Sequence, residues 1–293
     1  MKVAIIGLGI MGAAYASNFL KSGIEVHGTD TDSGRLNNFS SLGGFPHSKI
    51  DTWVKECDFV LISLSSPVAL HHVVSELANT ASDEQIILET GTFTLDDKFR
   101  IKRDLKDTNA FIYDCTVSGT GAQAVTADLV FMISGENVKK EKVKECLSYI
   151  GRKVIDAGEY GNASKLKYVA NHAVAVHNCA AAETLSYAKN IGLDEHVVYD
   201  MLSNGAGQSK MSDLRMPLMI DKNYTPATAH MAMFHKDLNI ISEHLAASFS
   251  FSPLFDQCKH LYEQAKAHIP DDYDTAAIFE EYEMQLNENI QKL

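Results

Sequence analysis

The sequence predicts an α/β domain with a doubly wound parallel sheet, followed by an all-α domain that a long helix joins to it. Short apolar runs rich in β-branched residues alternate with helical segments in the first part of the chain. A glycine-rich turn joins the first run to the first helical segment, and past Gly161 the sequence is helical apart from short turns. We therefore expect domains at 1–160 and 161–293.

The beginning of the chain has the spacing of a dinucleotide-binding unit. Lys2–Ile6 is an apolar run suited to a strand buried on both faces of a parallel sheet. Residues 7–12 follow at once as G-x-G-x-x-G, and residues 13–21 predict a helix. A second strand at Glu25–Thr29 ends in Asp30, about twenty residues past the glycines. This order predicts a Rossmann domain.

The residues of this unit have separate predicted roles. Gly7 permits a tight turn, Gly9 leaves room for a pyrophosphate, and Gly12 lets the helix pack against the strand. Asp30 can accept hydrogen bonds from the adenosine ribose and would repel a 2′-phosphate. This favours NAD, although nearby Arg35 leaves NADP possible. The predicted cofactor-binding residues of the turn are Gly7, Leu8, Gly9, Ile10, Met11 and Gly12.

Further strands continue the alternation through the first domain. They are predicted at 57–65, 85–92, 110–119, 128–135 and 153–158. In a doubly wound sheet, ligands bind outside the carboxyl ends of the strands. We therefore expect cofactor and substrate to meet near Leu64, Ser65, Thr92 and Ser118.

The long helix predicted at 162–190 carries a spacing that suggests acid–base chemistry. Lys167 and Asn171 are four residues apart and share one helix face, whereas Lys165 points elsewhere. An ammonium group beside a nicotinamide can give a proton to a carbonyl oxygen, and partial burial there would lower its pKa. Because most helical lysines are solvated, the spacing alone leaves this role open.

Composition excludes several classes of function. A net charge of −12 makes nucleic acid an improbable partner, and no apolar run is long enough to span a membrane. The five cysteines contain no C-x-x-C pair, which indicates reduced thiols in a cytoplasmic protein. The twelve histidines lack the spacing of a helical metal pair, so we expect no metal site.

Five segments together resemble the β-hydroxyacid dehydrogenase family. The first, GLGIMGAAYASNFLKSG, is similar to the family's cofactor fingerprint. The others are similar to its substrate-loop, catalytic-lysine, late Lys-Asp and closing segments, in that order: residues 114–135, 161–171, 234–240 and 271–280. The resemblance covers essentially the whole chain.

The resemblance implies a role for particular residues. Lys167 would be the acid/base group, Asn171 would orient the substrate, and Ser118 and Gly119 would bind its carboxylate, with Thr120 beside them. Thr92 and Lys236 would contact the cofactor, and Asp237 would belong to the substrate site and steady it. The family also implies metal-free hydride transfer between NAD(P) and a small hydroxy acid or semialdehyde, in a homodimer or homotetramer.

Departures from the family pattern leave the substrate open. Thr120 stands where a second glycine is common, and Gln123 and Ala229 also depart from the pattern. One alternative is an NAD(H)-binding regulatory or scaffold module without turnover. Others are an enzyme similar to imine reductases and one acting on a phosphorylated sugar acid.

Overall fold

A computed structural model describes the backbone of residues 1–291 and the side chains of residues 1–286, so the last two residues of the predicted second domain lie outside the described part. The chain forms two compact units. The first is Met1–Lys167 and the second begins at Tyr168, so the division falls inside the long helix.

The first unit contains an eight-stranded sheet in the order β3-β2-β1-β4-β5-β6-β7-β8. The strands are β1 (Lys2–Ile6), β2 (Glu25–Thr29), β3 (Phe45–His47), β4 (Phe59–Ile62), β5 (Ile86–Glu89), β6 (Phe111–Ser118), β7 (Val130–Ser134) and β8 (Lys153–Asp156). All neighbouring pairs are parallel except β6 and β7, which are antiparallel. The predicted doubly wound sheet is confirmed.

Helices of the first unit connect these strands. They are α1 (Ile10–Lys21), α2 (Ser33–Ser41), α3 (Pro67–Thr80), α4 (Leu95–Asp104), α5 (Gly121–Val125) and α6 (Lys140–Ser148). The prediction was wrong in the detail of α1, which begins at Ile10 inside the glycine motif instead of after it.

Two features of the sheet differ from the sequence prediction. The edge strand β3 was missed because three residues are too few to show a periodic pattern. β7 reverses direction because the connection from β6 holds only the short helix α5, whereas a parallel crossover needs a dozen or more residues.

Helices cover both faces of the sheet, which explains the continuous apolar runs. In β1, Val3 and Ile5 belong to one core layer together with Phe19 of α1, while Ala4 and Ile6 belong to the opposite layer. All four strand residues are essentially inaccessible to solvent. Such burial on both faces is typical of parallel sheets.

The second unit is helical throughout its described part. Its helices are α7 (Asn162–Asn190), which begins in the first unit, α8 (Glu195–Asn204), α9 (Lys210–Ile220), α10 (Met231–Ala247), α11 (Pro253–Ala265) and α12 (Ile278–Gln291). Its core includes Leu238, Phe255, Tyr262 and Phe279, which are buried. The predicted all-α architecture is confirmed. No helix in the described residues has the length and apolarity to cross a membrane.

Candidate active site

The glycine turn after β1 has the shape that a dinucleotide requires. Gly7 has φ +94°, and a Cβ there would lie 2.4 Å from the carbonyl oxygen of Ser63. A Cβ on Gly12 would lie 1.9 Å from the carbonyl oxygen of Gly7, so the helix could not approach the turn with a larger residue. α1 begins after Gly9 with no side-chain cap. The amides of its first turn are thus available to a phosphate.

Asp30 is held against this turn at the carboxyl end of β2. Its Oδ2 accepts a hydrogen bond from the amide of Leu8 at 2.7 Å, and its Oδ1 accepts one from the amide of Asp32 at 2.9 Å. Nη1 of Arg35, a half-exposed side chain, lies 3.4 Å from the same Oδ2. The carboxylate is therefore held in one position beside the glycine turn, with a cationic guanidinium next to it.

The remaining predicted cofactor residues of the first unit follow neighbouring parallel strands. Leu64 and Ser65 lie between β4 and α3, and a Cβ on Gly7 would be 2.9 Å from Cδ2 of Leu64. Thr92 lies between β5 and α4. Because β1, β4, β5 and β6 are parallel neighbours, their carboxyl ends lie at one edge of the sheet. The structure brings these segments to the same edge as the glycine turn.

The loop predicted to hold the substrate carboxylate begins at Ser118, the last residue of β6. Gly119 has φ +144°, a conformation that favours glycine. Thr120 caps α5: its amide donates to Oε1 of Gln123 at 3.0 Å, and its hydroxyl accepts from the amide of Gln123. The amide of Thr120 is therefore engaged, whereas its hydroxyl accepts in the cap and keeps its own hydrogen as a donor.

The first turn of α7 is fixed by hydrogen bonds within the first unit. Ser164 donates its amide to Oδ2 of Asp114 at 2.8 Å and its hydroxyl to Oδ1 at 2.9 Å, and the carbonyl of Ala163 accepts from Thr116. Lys167 follows within the next turn and is half-buried, whereas Lys165 is exposed. Asn171 lies one further turn along the same helix.

The second unit brings Asn171, Lys236 and Asp237 together. Asn171 is buried, and its Nδ2 donates to Oδ2 of Asp237 at 2.7 Å. Nζ of Lys236 lies 3.1 Å from Oδ1 of the same carboxylate. Because an ionised carboxylate only accepts hydrogen bonds, this contact fixes the orientation of the asparagine amide and directs its oxygen away from Asp237.

The sequence did not predict a buried ionic cluster in the first unit, near the carboxyl end of β5. Lys98 of α4, Glu89 of β5 and Asp114 of β6 have no exposed side-chain surface and form ion pairs. A signal was present, since Glu89 and Asp114 stand within apolar runs that predict strands buried on both faces. Such a charge needs a buried partner, but the sequence does not say which lysine supplies it.

Among the residues that the structure describes, no three histidine, cysteine, aspartate or glutamate side chains are grouped so that they could hold a metal ion.

Two family models match nearly the whole chain. The model of the NAD binding domain of 6-phosphogluconate dehydrogenase matches residues 2–158, which is more than half of the chain. The model described as NAD-binding of NADP-dependent 3-hydroxyisobutyrate dehydrogenase matches residues 161–282.

Individual relatives agree with these models. The chain is 27% identical to L-threonate dehydrogenase of Pectobacterium atrosepticum, over 82% of this chain and 81% of that protein. It is 26% identical to glyoxylate/succinic semialdehyde reductase 2 of Arabidopsis thaliana, over 96% of this chain and 79% of that protein. A crystal structure of 3-hydroxyisobutyrate dehydrogenase from Salmonella typhimurium has the same fold, with a TM-score of 0.87 at 24% identity over 96% of this chain and 99% of that one.

Proposed function

The chain belongs to the β-hydroxyacid dehydrogenase family and carries its NAD(P)-binding domain, and from that premise we propose that it transfers hydride between NAD(P) and a small 3-hydroxy acid or the corresponding semialdehyde. The main support is that a dinucleotide-binding turn and a helix carrying Lys167 and Asn171 occur in one chain of this family. The nicotinamide supplies the hydride donor or acceptor when it is bound.

In this proposal Lys167 moves the proton. Its ammonium donates to the substrate carbonyl oxygen during reduction, and its neutral amine accepts the hydroxyl proton during oxidation. The ammonium also polarises the carbonyl, a role that a metal ion can supply elsewhere, so we propose a metal-free reaction. Asn171 presents its amide oxygen to the substrate hydroxyl, because Asp237 holds its Nδ2 at 2.7 Å.

The substrate carboxylate is proposed to bind at the loop after β6. The hydroxyl of Ser118 and the amide of Gly119 are suitable donors for an anion. Thr120 would contribute its hydroxyl hydrogen, because that hydroxyl only accepts from the amide of Gln123, whereas the Thr120 amide is held by Oε1 of Gln123.

For the cofactor we propose NAD in preference to NADP. Asp30 would repel a 2′-phosphate and hydrogen-bond to free ribose hydroxyls, and its carboxylate is fixed by the amides of Leu8 and Asp32. Arg35 lies 3.4 Å from that carboxylate and partly offsets its charge. We therefore expect a higher kcat/KM with NAD but measurable turnover with NADP.

A spectrophotometric assay tests the proposal directly. The protein would be mixed with NAD or NADP and with L-threonate or 3-hydroxyisobutyrate, and with NADH and glyoxylate or succinic semialdehyde for the reverse direction. We expect Lys167→Ala to lower kcat/KM by about 10²- to 10⁴-fold, the usual contribution of a general acid or base. The matched control is Lys165→Ala, an exposed lysine on the same helix, which should retain wild-type activity.

Three outcomes would contradict parts of the proposal. Lys167→Ala with more than a tenth of wild-type turnover would exclude the acid/base role. Loss of activity with a chelator would exclude metal-free chemistry. Tight NADH binding without turnover of any tested substrate in either direction would favour a regulatory module instead.

A further inference from the structure

Lys98 uses its ammonium group to contact three residues in two segments of the first unit. Its side chain is completely buried on α4, where it forms an ion pair with Glu89. Its Nζ also lies 3.0 Å from Oδ1 of Asp114 and donates to the carbonyl of Gly91 at 3.0 Å. A lysine ammonium has three donors, and these contacts use all of them.

On one side, the cluster fixes the backbone that leads to Thr92. Oε1 of Glu89 accepts the amide hydrogen of Gly91 at 2.6 Å, while Lys98 binds the carbonyl of the same residue. A Cβ on Gly91 would lie 2.3 Å from the ring of Phe93, so this residue must be glycine in the observed arrangement. The next residue is Thr92, which we propose contacts the cofactor.

On the other side, the cluster fixes the start of α7. Asp114 accepts the amide and the hydroxyl of Ser164, and its Oδ2 also accepts the hydroxyl of Ser134 at 3.3 Å. The oxygen of Ser134 in turn accepts the amide of Ala163 at 3.0 Å. These bonds satisfy amides that a helix N-terminus otherwise leaves unpaired. Lys167 lies three residues after Ser164.

The charges of the cluster make its parts interdependent. Burial by itself would lower the pKa of Lys98, but Asp114 and Glu89 outweigh this effect and raise it, so the lysine stays charged. Burial raises the pKa of Glu89, the carboxyl with fewer hydrogen-bond donors around it. An unpaired charge in the protein interior is strongly destabilising. Separating any member of the cluster from the others therefore costs folding free energy.

We propose that Lys98 is a positioning residue, which joins the loop that carries Thr92 to the first turn of the helix that carries Lys167. The inference rests on the proposed dehydrogenase function, because it gives that reaction a common anchor for its cofactor loop and its acid/base group. Lys98 itself has no surface with which to touch a ligand. It acts by holding Gly91 and, through Asp114, Ser164.

The variant for testing this role is Glu89→Gln combined with Lys98→Met, which removes the cation together with one carboxylate and leaves Asp114 without a cationic partner. Asp114 keeps its donors from Ser134 and Ser164. The matched control is Lys140→Met combined with Asp156→Asn. That pair also involves a buried lysine of the first unit, with 2.7 Å between Nζ and Oδ1, but it lies between α6 and β8.

The first readout is amide hydrogen exchange of the protein without substrate. In the Glu89/Lys98 variant we expect faster exchange both around 91–94 and around 163–167, and in the control variant neither segment should change. Wild-type exchange in both segments, or faster exchange in only one of them, would overturn the proposed connection. If the double variant does not fold, Ser164→Ala removes the hydroxyl bond to Asp114, and we expect smaller changes in the same two segments. A change confined to 163–167 in that variant would equally overturn the proposal.

The second readout is steady-state kinetics. A displaced acid/base group should lower kcat by about ten- to a hundred-fold, since small misplacements of reacting groups have effects of this size. KM should change by less than about threefold, and the pH profile of kcat should shift because the surroundings of Lys167 change. Kinetics equal to the control variant would exclude a positioning role. If wild-type protein turns over no substrate, the proposed function fails, whereas the exchange experiment still decides whether Lys98 connects the two segments.

Discussion

In the first unit the buried cation Lys98 meets two carboxylates, whereas in the second unit the buried cation Arg215 meets one among the side chains of residues 1–286, that of Asp274. Nη1 of Arg215 lies 2.6 and 2.8 Å from the two oxygens of Asp274. The same carboxylate accepts hydrogen bonds from the amides of Thr228, Ala229 and Ala276. Arg215 thus stabilises the backbone that leads into a short 3-10 helix at 275–277 through a single ion pair with Asp274.

The difference lies in the balance of charge. Arg215 and Asp274 neutralise each other, so neither has a substitute if its partner is removed. Lys98 has a surplus of negative charge around it, and burial raises the pKa of Glu89. The free energy of unfolding should therefore depend strongly on both Arg215 and Asp274. Replacing Glu89, the surplus carboxyl around Lys98, should lower it much less. Three measurements test this comparison.

The largest effect is expected for Asp274→Asn. This change leaves the guanidinium of Arg215, which is only 2% exposed, without a charged partner. Breaking a buried pair in this way costs about 3–5 kcal/mol, so we expect a loss of this size in the free energy of unfolding from denaturant titration. As a control, Asp221→Asn replaces an exposed aspartate of the same unit and should change it by about 0.5 kcal/mol or less. A loss below about 1 kcal/mol for Asp274→Asn would refute the dependence on a balanced pair.

A smaller effect is expected for Glu89→Gln. The amide oxygen can still accept the hydrogen bond from Gly91, and Lys98 keeps Asp114 as its charged partner. We expect the free energy of unfolding to fall by about 1 kcal/mol, the value of one hydrogen bond. The same denaturant titration measures it. A loss as large as that of Asp274→Asn would mean that both carboxylates are needed, and the comparison between the units would fail.

Much of the architecture could be predicted because short-range patterns determine it. The order of the apolar run Lys2–Ile6, the glycines after it and Asp30 is enough to predict a strand followed by a tight turn. The structure confirms both the strand and the turn. The reversal of β7 escaped prediction because it depends on the path of a connection and not on the composition of the strand. Strand periodicity is the same in either direction.

The candidate site was predictable only where spacing along the chain carries the information. Lys167 and Asn171 share a helix face by their separation of four residues. The contact between Asn171 and Asp237 joins residues 66 positions apart, and the contact between Lys98 and Asp114 joins two different elements. Neither contact has a periodic signature. The engagement of Thr120 by Gln123 follows a capping pattern that is visible in the sequence, but the resemblance drew attention to the missing glycine instead.

The smallest effect is a difference in pH dependence between Glu89 and Asp156, two carboxyls that are each paired with a lysine. Burial raises the pKa of Glu89 in the folded protein above its ordinary value of 4.5. Protonation of Glu89 therefore stabilises the folded state relative to the unfolded state. This stabilisation is complete below pH 4.5 and is lost as the pH rises through the higher pKa of the folded protein. For Asp156, burial would raise the pKa, but the hydrogen bonds from Lys140 and the amide of Gly158, together with the charges of Lys140 and Lys144, outweigh it and lower the pKa below 3.8. Its stabilisation is therefore present above pH 3.8 and is lost as the pH falls. Relative to wild type, Glu89→Gln should become less destabilising as the pH rises from 4.5, and Asp156→Asn should become less destabilising as the pH falls towards and below 3.8. Denaturant titrations of both variants over this range measure the two slopes, and equal signs would show that Glu89 is an ordinary ion-pair partner and not a surplus carboxyl.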